Sequence, residues 1–219
     1  MIRALPFAAC FVFGVLALAL HHIVNPYFSS VVYIQVPVCM VIPLLFPVAR
    51  KWLKIDIPFF FEVIVAVQLI VSVDLGTALG VYYLIPHYDK YLHAYFGVWC
   101  AMLVYYFVHL WGGRNLARTG IFLIVLLSTL GVAGCWEIFE YFMSLIFGGD
   151  PQVWKAAVAA GKNPMDDTMW DMIVAAFGVG IFYLTLAADK LARGALYRGA
   201  LTPQPPVPDE DEGEGPLSA

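Results

Sequence analysis

The chain has 219 residues, of which 62% are hydrophobic and 13% are charged, with a formal net charge of −4. Soluble domains have about 45–50% apolar and about 25% charged residues, so this composition excludes an ordinary water-soluble domain. Its apolar runs reach the roughly 20 residues that a helix needs to cross a bilayer, and unbroken runs of that length favour helices over barrels. The sequence predicts an all-α, polytopic membrane protein, and it gives no indication of a nucleic-acid partner.

About six transmembrane helices are predicted, and together they form one helical bundle over residues 1–200. The first has an apolar stretch, Leu5 to Leu20, that exceeds the roughly 7–15 residues of a signal-peptide core, which favours a retained helix. The remainder, 201–219, is rich in proline and acidic residues and is predicted to be a disordered cytoplasmic tail. In chain order the predicted spans are 4–24, 31–49, 58–85, 91–111, 119–147 and 169–188.

The orientation follows from the basic residues in the loops, because cytoplasmic loops carry an excess of Lys and Arg. With the N-terminus inside, nine of the 12 basic residues fall on the inner side and three on the outer side. The predicted topology is therefore N-in/C-in. The inner residues are Arg3, Arg50, Lys51, Lys54, Arg114, Arg118, Lys190, Arg193 and Arg198, and the outer ones are Lys90, Lys155 and Lys162.

Paired ionisable residues interrupt the fourth and fifth predicted spans, where each such residue costs about 2.5–3.5 kcal/mol on insertion scales. Asp89 and His93 are four residues apart in YDKYLHAYFG, and Glu137 and Glu140 are three apart in WEIFEYF. Residues at these spacings lie on one face of a helix. Each pair therefore predicts a polar face directed at a partner or at a cavity.

The third and sixth spans carry further acidic residues. Asp167 and Asp171 are four residues apart in DDTMWDM, with Asp166 adjacent, and Asp74 lies within VSVDLGTALGVYY. Single residues have ordinary interpretations: Asp167 is suited to a helix N-terminus, and Asp74 to a hydrogen bond with a neighbouring helix. These interpretations do not explain why helix-face pairs recur on three spans.

The depth of the acidic residues suggests that they converge. At about 1.5 Å per residue, Asp74 and Glu137 lie roughly 15 Å below the outer helix ends, and Asp89 and Asp167 lie at the outer mouth. No Lys or Arg is expected at membrane depth to pair with them. The carboxyl groups are then either protonated or hold a cation, and carboxylates with one imidazole suit Mg²⁺, Mn²⁺ or Zn²⁺.

The candidate site is an acidic pocket open to the outer face. His93 or Glu140 is the candidate general base if it is not a metal ligand, and Asp74 and Asp166 are expected to support the ligands without binding the metal. The predicted metal ligands are Asp89, His93, Glu137, Glu140, Asp167 and Asp171.

The order of these motifs, over roughly residues 70–185, resembles the YjdF-like family of bacterial inner-membrane proteins. The likeness implies a multi-pass protein of the bacterial inner membrane and supports the site, but it implies no particular reaction. A looser likeness to VanZ-like membrane proteins rests on the start of the fourth span alone. Asn163-Pro164 stand where the family has Gly-Asp, and Asp166 stands where it has a tryptophan. The matching positions are Asp89, His93, Gly97, Glu137, Glu140, Asp167 and Asp171.

Three functions remain open at this point. The favoured one is a metal-dependent membrane hydrolase or transferase that acts on a membrane lipid or a lipid-linked headgroup. The second is a proton- or cation-coupled transporter, although an alternating-access pathway also needs an inner polar cluster, which the sequence does not indicate. The third is a non-catalytic membrane component whose polar network holds helices together. The oligomeric state is not predicted.

Overall fold

The computed structural model describes residues 2–25, 31–55, 57–197 and 200–201. Within these residues the regular elements are all helical, and six helices are long and apolar enough to cross a membrane. The predicted all-α, polytopic fold is confirmed, whereas the N-in/C-in orientation stays a prediction. Arg198 and the tail from 202 lie outside the described residues. The six spans are Ile2–Val24, Val32–Trp52, Phe59–Ala78, Tyr88–Leu110, Arg118–Phe147 and Asp166–Leu191.

The second span is interrupted near its middle. An α-helix, Val32–Val41, passes into a short 3₁₀ segment, Ile42–Leu44, and then into a second α-helix, Leu45–Leu53. Pro43 lies within the 3₁₀ segment. Because proline lacks a backbone N–H and its ring clashes with the preceding turn, it breaks the α-helical hydrogen-bond pattern at this point.

The third span changes its helical type halfway. The α-helix Phe59–Leu69 continues as a π-helix, Ile70–Ala78, and the backbone N–H of Leu79 donates to the carbonyl of Asp74 at 3.0 Å. Gly80 follows with a φ of +80°, which glycine adopts without steric cost. The span therefore ends before the predicted boundary at 85, and a separate short helix, Val81–Leu84, leads to the fourth span.

Side chains at the end of the first span form hydrogen bonds with the last carbonyls of this π-helix. The Asn25 side-chain amide donates to the carbonyls of Thr77 at 3.0 Å and Ala78 at 3.3 Å, and Nδ1 of His21 lies 2.7 Å from the same Ala78 carbonyl. Carbonyls at a helix end lack partners within the helix, and these side chains satisfy them.

The fourth span lies at the centre of the bundle and packs most closely on the sixth. A Cβ at Gly97 would stand 2.1 Å from the Ala175 carbonyl oxygen, and a Cβ at Gly178 would stand 2.3 Å from the Ala94 carbonyl oxygen. Glycines let the two backbones touch, which is a common way for helices to associate in lipid. This crossing fixes the position of the fourth span's first turns against those of the sixth.

A buried ion pair lies at the opposite end of the bundle from these first turns. Glu62 is 2% exposed, and one of its carboxylate oxygens accepts a hydrogen bond from the Arg50 guanidinium. A buried carboxylate is tolerated when it is paired and hydrogen-bonded. The pair therefore ties the second span to the third at this end.

Candidate metal site

Two of the predicted polar pairs meet where the fourth and sixth spans begin, here called the acidic end. Asp89 and His93 lie on the first turns of the fourth span, and Asp167 and Asp171 lie on the first turns of the sixth. Asp171 is buried, with a side chain that is 2% exposed, whereas the Asp89 side chain is 32% exposed. The cluster thus extends from the protein surface into the bundle.

Lys90 lies among these carboxylates, and the expectation that no basic residue pairs with them is wrong. Its Nζ is 2.6 Å from Oδ1 of Asp167, 2.7 Å from Oδ1 of Asp171 and 3.1 Å from Oδ2 of Asp89. The sequence places Lys90 one residue after Asp89, at the membrane boundary, where it counts as a loop charge. Because a lysine stem can lie along apolar surface while its ammonium reaches a polar group, it enters the cluster instead.

One ammonium does not balance this cluster. Lys90 faces three aspartates, so two negative charges remain uncompensated if all three are ionised and His93 is neutral. Uncompensated charge at membrane depth is costly. The arrangement therefore still requires protons or a further cation.

Three of the six predicted ligands come to a common point. Asp89, His93 and Asp171 each offer a ligand atom, and these atoms all lie within 4.8 Å of one another. Nε2 of His93 is 3.5 Å from Oδ1 of Asp89 and 3.8 Å from Oδ1 of Asp171. Bonds of about 2.1 Å in a tetrahedral zinc site would place neighbouring ligand atoms about 3.4 Å apart. The spacing therefore fits a group that could hold a metal ion after small side-chain adjustments.

Glu137 is buried beside the cluster and is held by a loop residue. Nε2 of Gln152 lies 3.2 Å from its Oε2, 2.9 Å from its backbone carbonyl oxygen and 3.2 Å from Oγ1 of Thr168. Its other oxygen, Oε1, is buried and has no hydrogen-bond partner among the described residues. Glu137 also interacts electrostatically with His93, which places it near the three-residue group although it is not a member.

Glu140 also lies outside the three-residue group but within electrostatic range of it. The indole N–H of Trp136 donates to its Oε1 at 2.9 Å. Its charge interacts with those of Glu137, Asp89 and Asp171. Glu140 is therefore a candidate proton acceptor beside the three-residue group.

Asp166 and Asp74 are directed elsewhere. Asp166 is exposed, and its Oδ1 accepts a hydrogen bond from the Asn163 side chain at 2.6 Å. Asp74 is 2% exposed and interacts with the thiols of Cys10 and Cys39 on the first and second spans. Neither residue contacts the Asp89–His93–Asp171 group through a hydrogen bond or ion pair described here.

Tyr82 is a further polar residue at the acidic end, which the sequence predicts only as packing or an interfacial anchor. It lies in the short helix between the third and fourth spans, and its ring packs against Tyr88 with centroids 5.2 Å apart. Burial, and then the nearby Asp89 and Glu140 carboxylates, raise the pKa of the Tyr82 phenol well above its ordinary value. Its hydroxyl therefore stays protonated and remains a hydrogen-bond donor.

Two further residues of the site, Gln152 and Lys90, are not among the residues that the sequence predicts for it. Gln152 is a neutral residue in a polar connection, and its contact with Glu137 depends on how residues 148–165 fold back over the acidic end. Lys90 carries a signal in principle, because it lies one turn before His93 and beside Asp89.

A family model described as "Predicted membrane protein (DUF2238)" matches residues 7–190, which is most of the chain. No curated protein and no solved structure matches the chain. The matched region contains all six spans' cores and every residue of the acidic end.

Proposed function

The chain belongs to the membrane-protein family DUF2238, and we propose that it is a metal-dependent enzyme that acts on a lipid or a lipid-linked headgroup. The observation that carries this proposal is the convergence of Asp89, His93 and Asp171, whose ligand atoms lie within 4.8 Å of one another. Two carboxylates and one imidazole form a ligand set suited to Zn²⁺, Mn²⁺ or Mg²⁺.

The charge at the acidic end supports a divalent cation. With all three aspartates ionised and His93 neutral, one lysine leaves two negative charges, which a cation of charge two balances. Three protein ligands also leave a coordination position free for water or substrate, as in catalytic zinc sites. Glu137 and Asp167 are not metal ligands in this proposal. Glu137 accepts a hydrogen bond from Gln152, and Asp167 forms an ion pair with Lys90.

The reaction we propose is hydrolysis of an ester or phosphoester bond. A divalent metal held by Asp89, His93 and Asp171 would supply the Lewis acidity that makes a water oxygen reactive towards the phosphorus or carbonyl carbon, with release of the leaving oxygen. Glu140 accepts the proton of that water and returns it to the leaving oxygen. His93 is used as a ligand in this scheme, which leaves Glu140 as the general base.

The position of the site supports a lipid substrate. Asp171 and His93 are buried at the beginnings of two membrane spans, so the molecules that reach them laterally are those of the bilayer. The ester and phosphoester bonds of membrane lipids lie at this depth, at the boundary between headgroup and hydrocarbon. A substrate of this class meets the site without leaving the membrane.

A lipid comparison in cells tests this proposal. Cells that lack the protein should accumulate one lipid class relative to cells that carry the wild type, as measured by mass spectrometry of extracted lipids. Asp171→Asn and Glu140→Gln should give the same accumulation at equal protein levels, because one removes a metal ligand and the other removes the base. Asp166→Asn is the matched control and should behave as the wild type, since Asp166 is exposed and bonded to Asn163.

Identical lipid profiles in all these strains would contradict an enzymatic role. If Asp171→Asn also lowered the amount of folded protein while lipids stayed unchanged, the polar network would be structural. Uptake of a proton or cation into liposomes that depends on Asp171, with no change in lipids, would favour a transporter.

A further inference from the structure

An apolar cavity of about 360 Å³ adjoins the acidic end. The third, fourth and fifth spans provide most of its lining, and Asp89, His93 and Tyr82 lie at one end of it. Below them the lining is mainly apolar, with Leu92 and Phe96 on the fourth span. The cavity therefore continues directly from the candidate metal site into the membrane-spanning part of the bundle.

The cavity opens sideways out of the bundle. Val132, Trp136 and Phe139 of the fifth span line it, yet they are 47%, 37% and 38% exposed. The third and fifth spans each pack on the fourth, and no comparably extensive packing joins the third to the fifth among the described residues. In a membrane-spanning helix, side chains exposed at this depth face lipid, so the opening leads into the bilayer.

The length of the cavity indicates what kind of molecule it can hold. From Asp89 to Trp99 the lining follows one helix over ten residue steps, or about 15 Å at 1.5 Å per residue, which is half of the roughly 30 Å hydrocarbon core. The cavity therefore has the length of a hydrocarbon chain in one leaflet.

We infer that this cavity binds one hydrocarbon chain of a membrane glycerophospholipid, whose headgroup then lies at Asp89 and His93. The hydrocarbon chain enters between the third and fifth spans and lies along the fourth span towards Trp99. This assignment rests on the proposed function, since it supplies the substrate class for the same site. It also explains why an apolar cavity of this size is continuous with an acidic cluster.

Photo-crosslinking in lipid nanodiscs tests the assignment. The probe is phosphatidylethanolamine that carries a diazirine either next to the carboxyl group or near the far end of one acyl chain. The readout is the labelled residue, identified by peptide mass spectrometry of the full chain. Leu92 is the informative position, because it is only 7% exposed and a chain reaches it from within the cavity.

The diazirine next to the carboxyl group should label Leu92, and the one near the chain end should label Trp99. Val132→Trp fills the opening and should abolish labelling at both positions. Leu127→Trp is the matched control: Leu127 is on the same span, is 65% exposed and does not line the cavity, so labelling should persist. Thermal unfolding of the two variants shows whether both are folded.

Other outcomes would overturn the inference. Labelling confined to lipid-facing positions such as Leu127, or the reverse order along the fourth span, would show that no chain lies in the cavity with its headgroup at the acidic end. Labelling that persists in folded Val132→Trp would do the same. Labelling at Leu92 and Trp99 in a protein without bound metal would support chain binding while the metal-dependent function failed.

Discussion

Gly178→Ala should separate the fourth and sixth spans and weaken the candidate metal site. The added Cβ would stand 2.3 Å from the Ala94 carbonyl oxygen and 2.8 Å from both the Gly97 Cα and the Val98 nitrogen, all of which are backbone atoms. Ordinary contact begins at 3.4 Å, so the two backbones must move apart by about 1 Å, and overpacking of this kind costs about 1–3 kcal/mol.

The displacement bears directly on the site, because Asp171 approaches Asp89 and His93 across this same crossing. Metal coordination tolerates only about 0.2 Å around ideal distances, so a shift of about 1 Å should lower affinity by tenfold or more. The assays are thermal unfolding and calorimetric titration of Mn²⁺ or Zn²⁺ into detergent-solubilised protein. Gly178→Ala should unfold at a lower temperature than the wild type and bind the metal more weakly.

Gly180→Ala is the matched control for this change. It lies two residues further along the same span, and a Cβ there would meet nothing within 4 Å. Its unfolding temperature and metal affinity should equal or exceed those of the wild type, since alanine favours a helix over glycine by about 1 kcal/mol. If the two variants proved equally stable and bound metal equally well, the close crossing would not position the site.

Three further predictions concern residues around the bundle's polar groups. Lys90→Met should lower the unfolding temperature of the metal-free protein yet raise its affinity for Mn²⁺ by about tenfold or more. The reason is that a unit charge about 4 Å from the metal contributes up to about 4 kcal/mol of repulsion at an effective dielectric constant of 20, and unchanged affinity in calorimetric titration would contradict this. Gln152→Leu should lower the free energy of unfolding by about 1–3 kcal/mol, because it leaves the buried Glu137 carboxylate without that donor, and urea unfolding that matches the wild type would argue against the contact. Arg50→Met should lower the free energy of unfolding by about 3–5 kcal/mol, and the double variant with Glu62→Met should recover much of that loss, because an unpaired buried charge destabilises more than an apolar pair does. Equal denaturation midpoints for the single and double variants would refute the pairing.

The fold was largely predictable, because helices that cross a membrane require long apolar runs that are visible in the sequence. Each of the six apolar runs must satisfy its own backbone groups, and so each becomes a helix. The irregular parts were not predictable from hydropathy, because they depend on specific contacts. The π-helix Ile70–Ala78 is one example: its terminal carbonyls are satisfied by His21 and Asn25, which are remote in sequence.

The candidate site was predictable in part. Helical spacing places Asp89 with His93, and Asp167 with Asp171, but spacing within a helix does not tell which helices touch. The glycine crossing of the fourth and sixth spans makes that choice and brings Asp171 to His93. Asp74 does not join the site, because its part of the third span packs on the first and second spans, near the Cys10 and Cys39 thiols.

Lys90 shows why charge counting did not suffice at the membrane boundary. As a loop residue it contributes to the predicted orientation, and its position beside Asp89 suggests exposure to water. Its flexible stem instead lets the ammonium reach Asp167 and Asp171 on another span. The burial of Glu62 also depends on a partner from another span, because Arg50 of the second span forms an ion pair with it.

The metal content of the purified protein tests the central claim most directly. Elemental analysis of protein extracted from membranes without chelator should find a stoichiometric divalent metal in the wild type, in Asp74→Asn and in Glu140→Gln. The metal should be lost in Asp171→Asn and His93→Gln, because both residues offer atoms to the common point. A wild type without stoichiometric metal, or an Asp171→Asn variant that keeps it, would contradict the account.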